Sequence, residues 1–242
     1  MPEPENNERP YGTTFDGSGE MFDGIATRYD RLNRILSLGL DRRWRKKLVR
    51  ALACSGEAEL LDVATGTADV ALAIARALPQ SRVTGLDPSS GMLEVGRQKV
   101  DAAGLAARIE LVEGDAQAMT FDDDSFNAAC IGFGIRNVPD RARGLAEMTR
   151  VTRPGGRVVV LELGEPRRGL MAPLARLHME VIVPRVGAWI TGTDAYRYLH
   201  QSIAAFPPPD EFLAMMRNAG LTDVRCERLN LGVAHLFVGT TT

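Results

Sequence analysis

The sequence predicts an α/β fold built on one doubly wound, mostly parallel, seven-stranded sheet. Three observations predict it. Short apolar runs alternate with amphipathic helical stretches from residue 58 onward. The first three of those runs each end on an aspartate, Asp62, Asp87 and Asp115. The 242 residues, 45% hydrophobic with 24 Gly and 13 Pro, suit a single domain with one good core.

Residues 1–20 are polar, Gly-rich and aperiodic, and read as a disordered tail; 21–242 form the one domain. Within it, 21–52 have helical periodicity in two pieces broken near "SLGL", an N-terminal helical cap. "AELLDVA" then reads as a strand and "DVALAIARAL" as a helix, followed by the strand "SRVTGLD" and the helix "SGMLEVGRQKVDAAG". The strands "ARIELVEGD" and "SFNAACIGF", the helix "DRARGLAEMTRVT" and the strand "GRVVVLEL" continue the series. Such alternation means βαβ units, with right-handed crossovers between parallel strands. An apolar, helical insertion over 165–206 follows the fifth strand and reads as a substrate lid. "PPDEFLAMMRNAG" is a helix begun by Pro and stopped by Gly, and "LTDVRCERL" with "GVAHLFVGT" closes the sheet as an antiparallel edge.

The charge balance, 29 basic against 31 acidic side chains, argues against a nucleic-acid partner. Cys54, Cys130 and Cys226 lack metal spacing and are too few for a disulfide framework, which suits reduced thiols in the cytoplasm. His178, His200 and His235 are too scattered for a metal triad. No stretch has the roughly 20 apolar residues of a spanning helix. "DRRWRKKLVR" reads as a solvated amphipathic helix or as a patch facing lipid headgroups at the inner membrane face.

Ligands of open α/β sheets bind beyond the carboxyl ends of the strands. A dinucleotide needs a G-x-G-x-x-G loop for its pyrophosphate. Here the loop is A-T-G-T-A with Gly66 alone, and Asp62 stands before it, so a pyrophosphate would be repelled. S-adenosylmethionine carries no phosphate, and its cationic groups suit acids. A carboxylate near the first loop, Asp62, attracts the ammonium end; Gly66 and Thr67 let backbone approach the methionine moiety. Asp87 can take both ribose hydroxyls, while Asp115 and the Ala116 N–H can take the adenine edge. Asp69 reads equally as a helix N-cap.

The chain also resembles the ubiquinone/menaquinone biosynthesis C-methyltransferases, from Met21 to about Gly239. The resemblance rests on "MFDGIATRYDRLNRILSLG", "LDVATGTAD", "GLDPSSGML", "FDDDSFNAACIGFGIRNVPD", "EMTRVTRPGGRVVVLEL" and "YRYLHQSIAAFPPPDEFLAMMRNAG". It implies a class I, Rossmann-like fold, S-adenosyl-L-methionine as cofactor, and a polyprenylated quinol methylated on ring carbon. Demethylmenaquinol is the foremost substrate and the ubiquinone precursor the alternative. A homodimer or a quinone-biosynthesis complex is compatible with it. Carried over by position, it assigns Thr67, Asp87, Asp115, Ala116 and Gly132 to the cofactor. The family pattern commonly has Gly at Ala68, Ser at Gly132 and Gly164, and His at Asp41; a helical φ would accommodate Ala68.

"IGFGIRNV" places Arg136 and Asn137 at the mouth of the fourth strand. C-methylation of a phenol needs the phenolate, so both can face ring oxygens, Arg136 stabilising the oxyanion directly or through water. Tyr29 is a third catalytic candidate, as an orienting hydroxyl. The competing reading of Arg136–Asn137 is a turn held by an Arg–carboxylate pair with Asn in left-handed geometry. Met171, Met179, Met215 and Met216 suit a prenyl-tail wall or plain core packing. Tyr196 and Tyr198 suit a pocket lining or the lid interior. A methyltransferase acting on another phenol, or a cofactor binder without turnover, are the competing functions.

Overall fold

A computed structural model describes residues 34, 37, 39–164 and 201–242. The seven strands are β1 (Glu59–Val63), β2 (Arg82–Asp87), β3 (Ile109–Glu113), β4 (Phe126–Gly132), β5 (Thr152–Leu163), β6 (Thr222–Leu229) and β7 (Ala234–Thr240). They form one sheet in the order β3-β2-β1-β4-β5-β7-β6. β1 to β5 run parallel; β7 is antiparallel to both β5 and β6. Every strand read from the sequence is present, as is the antiparallel edge. That edge enters between β5 and the sheet's end, with β7 inside and β6 outside.

Five helices are described: α1 (Asp41–Ala51), α2 (Asp69–Ala77), α3 (Ser90–Ala102), α4 (Arg141–Arg150) and α5 (Pro209–Asn218). Their starts follow local chemistry. Ser89 caps α3 by accepting from the Met92 N–H at 3.1 Å, and Asp140 caps α4 through the Arg143 N–H at 3.0 Å. Pro209 opens α5, where its missing N–H costs nothing.

Both faces of the sheet are covered, which is why the central strands read as nearly unbroken apolar runs. Leu60, Cys130, Val159 and Leu161 pack with Trp44, Leu48 and Ile74 on one face. Alternate residues of the same strands, Leu61, Ile131, Val158 and Val160, pack with Leu145, Phe212 and Phe237 on the other. Phe206, Phe212 and Phe237 stack in sequence at 5.0 and 4.7 Å between centroids. Met216 is buried in this second core and Met215 packs at its margin, so the core reading holds for Met216. The 1–20 tail, Tyr29, Met171, Met179, His178, Tyr196, Tyr198 and most of the 165–206 insertion lie outside the described residues.

The chain passes outward from β1 through β2 to β3, then crosses back to β4. This reversal between β1 and β4 opens a crevice above their carboxyl ends.

Candidate active site

The crevice is lined by the β1–α2 loop (64–67, with Asp69 and Val70), by Leu86–Pro88 after β2, by Gly114–Ala116 after β3 and by Gly132–Gly134 after β4. Arg45 of α1 and Asn137–Pro139 complete its rim. Gly66, Thr67, Asp87, Asp115, Ala116, Gly132 and Asn137 therefore converge on one cleft.

Asp62 does not join them, which corrects the expectation of a ligand-facing carboxylate. It is 1% exposed and lies beneath the loop. Its Oδ2 accepts from Thr65 Oγ1 at 2.6 Å and from the Ala71 N–H at 3.1 Å. Asp62 thus holds the loop and the first turn of α2 in place. Burial pushes its pKa up to about 7, against the hydrogen bonds from Thr65 and Ala71, which favour the charged form. The neighbouring Cys130 thiol donates to Asp62 Oδ1 at 3.7 Å and is itself raised well above its ordinary range by burial, so it is no nucleophile.

Asp87 grips the same loop from the adjacent strand. Its Oδ2 accepts the Gly66 N–H at 2.8 Å and its Oδ1 accepts the Ser89 N–H at 3.0 Å. Gly66 has φ +54°, which glycine adopts without strain. Ala68 has φ +63°, correcting the helical φ expected for it; the methyl sits in the left-handed region where the family pattern carries Gly, a cost of about 1 kcal/mol. Its Cβ and the Thr67 backbone lie against α3 where Gly96 has no side chain. At Gly132 an added Cβ would stand 2.9 Å from Val70 Cγ2, so Val70 fills part of the space a Ser would need. Likewise, a Cβ at Gly164 would fall on the His235 imidazole, which burial keeps neutral by lowering its pKa.

Asp115 shares its carboxylate with Gln117, whose backbone N–H donates to Oδ1 at 2.8 Å and whose Nε2 donates at 3.1 and 3.2 Å. Gln117 Oε1 in turn accepts the Asp140 N–H at 2.9 Å, tying the Asp115 side of the cleft to the start of α4. Gln117 carries no signal in a strand-end reading.

The "GIRN" segment folds as a single 3₁₀ turn, Ile135–Asn137, that sends its two polar side chains different ways. Asn137 lines the cleft. Arg136 does not: it is 6% exposed and its Nη1 donates to Glu162 Oε1 at 2.7 Å, and to the Phe133 carbonyl. Glu162, fully buried at the end of β5, also accepts the Arg136 N–H at 3.2 Å and the Leu163 N–H at 2.8 Å. The expectation that Arg136 directly faces substrate in this cleft is corrected accordingly; the Arg–carboxylate turn is what forms. The left-handed residue of the stretch is Phe133 (φ 61°), not Asn137. Glu162 carries the positional signal of the other strand-end acids and was legible on that ground.

Three carboxylates, Asp69, Asp87 and Asp115, thus face a cleft with an apolar floor of Leu86, Met92 and Val138. This donor set fits a cationic nucleoside and repels a dinucleotide. A model of the ubiE/COQ5 methyltransferase family matches residues 14–241. The chain belongs to that family. A Geotalea daltonii protein named ubiquinone/menaquinone biosynthesis C-methyltransferase UbiE is 45% identical over 221 residues, 91% of this chain and 94% of its own length. A demethylmenaquinone methyltransferase of Deinococcus radiodurans is 44% identical, covering 91% of this chain and 90% of its own. Among solved structures, the cyclase SpnF aligns with a TM-score of 0.71 at 16% identity, over 96% of this chain and 97% of that one. A SAM-dependent methyltransferase of Aquifex aeolicus aligns with 0.56 at 15%, over 82% and 89%. At such identities both speak to the fold alone. Family and fold together make the chain a methyltransferase using S-adenosylmethionine.

Asp62 yields a pH prediction. The folded chain holds this proton more tightly than the unfolded one, so between about pH 4 and pH 7 the native state carries more protons and stability falls as pH rises. Asp62→Asn keeps an oxygen for Thr65 and Ala71 without the charge. Thermal melts should show the variant gaining on the parent from pH 5 to pH 8. A gap that does not move with pH contradicts this.

Proposed function

We propose that the enzyme transfers a methyl group from S-adenosylmethionine to a ring carbon of a prenylated quinol, demethylmenaquinol foremost, in quinone biosynthesis. What carries the reading is the family match over residues 14–241 joined to a cleft that pairs cofactor-type acids with a polar rim at Asn137. When bound, the cofactor supplies an electrophilic methyl on a sulfonium.

The chain's own residues have three tasks. Asp87 and Asp115 fix the nucleoside, and the loop at Gly66–Thr67 receives the methionine end. Asn137 donates its carboxamide N–H to a ring oxygen, favouring the phenolate that makes the adjacent carbon nucleophilic. Arg136 acts one layer behind, holding the 3₁₀ turn against Glu162 so that Asn137 keeps its aim; an arginine is in any event a poor base. Tyr29 is assigned the orienting hydroxyl on the family resemblance. Exclusion of water from this cleft is the remaining requirement, since alignment of methyl and carbon supplies much of the rate.

A membrane-resident tail calls for a docking face, and α1 offers one. Its exposed residues are Arg42, Arg43, Lys46, Lys47 and Arg50, every one cationic, on a chain of net charge −2. Leu231, the one large hydrophobic exposed among the described residues (67%), sits beside it, because Asn230 Oδ1 accepts from Trp44 Nε1 at 2.6 Å. Basic residues next to an apolar tip complement an anionic lipid surface, those without an acidic partner by about 1 kcal/mol apiece, Lys47 being paired with Glu227. No helix among the described residues is long and apolar enough to cross a membrane.

Two experiments follow. In a host lacking its quinone C-methyltransferase, this gene should restore methylated quinone by mass spectrometry. Asn137→Ala should restore it at least tenfold more slowly, with cofactor affinity kept. Unmethylated quinone throughout would reject the substrate. Separately, the enzyme should cosediment with phosphatidylglycerol vesicles and not with phosphatidylcholine vesicles. A triple variant, Arg42→Glu, Lys46→Glu, Arg50→Glu, should lose at least tenfold in partition while still methylating a short-chain quinol; equal partition of both proteins would reject the face.

A further inference from the structure

Arg45 is the single cation lining the cleft among the described residues; the acids there are Asp69, Asp87 and Asp115. It reaches the cleft from α1, whose Trp44 packs on Phe133 and whose Leu48 lies near Gly132. Arg45 is 9% exposed, and its guanidinium stands 6.0 Å from the Phe133 ring centroid. Its Nη1 bridges Asp41 Oδ2 at 2.5 Å and Asp69 Oδ2 at 3.1 Å. Its Nε is buried and has no hydrogen-bond partner among the described residues. A buried guanidinium nitrogen without an acceptor is costly, and a ligand oxygen would relieve that cost.

Asp69 is held on its other oxygen by Lys99 Nζ at 2.5 Å, and Lys99 also donates to Thr67 Oγ1 at 3.0 Å. Burial alone would raise the Asp69 pKa, but Arg45 and Lys99 outweigh it and hold the carboxyl below its ordinary range. Asp69 is therefore charged. Asp41, Arg45, Asp69 and Lys99 carry two charges of each sign, and Arg34 adds to the positive field at Asp69. At the cleft itself Arg45 and Asp69 stand as an adjacent cation and anion, which match a zwitterion whose ammonium and carboxylate share one carbon.

We propose that Arg45 and Asp69 form an α-amino-acid subsite, with the Arg45 Nε edge donating to the carboxylate of the cofactor's methionine end and Asp69 accepting from its ammonium. This rests on the cofactor reading above and deepens it. Asp69 starts the helix after β1 and Gly132 ends β4, whereas Asp115 and Ala116 follow β3, two strands from β1 in the sheet, so the two groups of residues line the cleft from different strands, as a nucleoside and an amino acid joined through sulfur require. It also accounts for Asp41 where the family pattern carries His: Asp41 takes from Ser37 Oγ at 2.9 Å and pins Arg45 in place.

The test is calorimetric and needs no turnover. S-adenosylmethionine, its decarboxylated analogue and methylthioadenosine, which lacks the whole amino-acid end, are titrated into the parent enzyme, Arg45→Gln and Asp69→Asn. The parent should prefer the intact cofactor over the decarboxylated analogue by about tenfold or more, the scale of one charge-assisted hydrogen bond. Arg45→Gln should bring that preference within about threefold, with methylthioadenosine bound as before. Asp69→Asn should weaken both ammonium-bearing ligands by similar factors and leave methylthioadenosine alone. An undiminished preference in Arg45→Gln overturns the subsite. So does equal weakening of methylthioadenosine, which would make Arg45 a packing residue, or unchanged cofactor affinity with slowed quinol turnover, which would assign it to the substrate oxygen. Failure of the parent to bind any of the three ligands would instead remove the cofactor reading itself.

Discussion

The β1–α2 loop is held between two carboxylates from neighbouring strands, and the site depends on that grip. Asp62 reaches up from beneath to Thr65 and Ala71; Asp87 reaches across from β2 to the Gly66 N–H. A loop with Gly66 and Ala68 both in the left-handed region would otherwise have many conformations open to it. Fixed at both ends, it presents Gly66 and Thr67 to the cleft in one geometry before any ligand arrives, so little ordering entropy is left to lose on binding. The same arrangement gives the two acids different work. The buried one is raised toward neutral pH and is structural, while the other lines the cleft.

Much of this was legible in the sequence. The period-two runs and intervening helices fix the sheet, and two of the three strand-end acids, Asp87 and Asp115, mark the cleft. Position along a strand does not disclose orientation, however. Asp62 and Asp87 carry identical signals, yet one faces the protein interior, because β1 is central and its end is roofed by the loop. Arg136 and Asn137 are adjacent, and a 3₁₀ turn separates neighbours by about 120°. One therefore meets Glu162 and the other the cleft. Arg45 was hidden for another reason. Among six cations in one helix, only the 3.6-residue period, which sets Arg45 beside Trp44, Leu48 and Val49, marks it as the one on the buried face.

The departures from the family pattern have physical partners nearby. Gly164 leaves room for the His235 ring, Gly132 is crowded by Val70, and Asp41 joins an ion pair with Arg45. Ala68 is the exception, since its methyl occupies a strained backbone region and its close neighbour is Gly96. Three of the four thus have a packing or ion-pair partner in the structure.

The most direct measurement of the central claim is the affinity of Asp87→Asn for S-adenosylmethionine, read beside its melting temperature. The exchange is isosteric and keeps one oxygen for the Gly66 or the Ser89 N–H, but removes the charge that anchors the loop and that the proposed ribose contact needs. The expected result is a tenfold to hundredfold weaker cofactor complex on a fold that still melts cooperatively within a few degrees of the parent. Cofactor affinity equal to the parent's would contradict it.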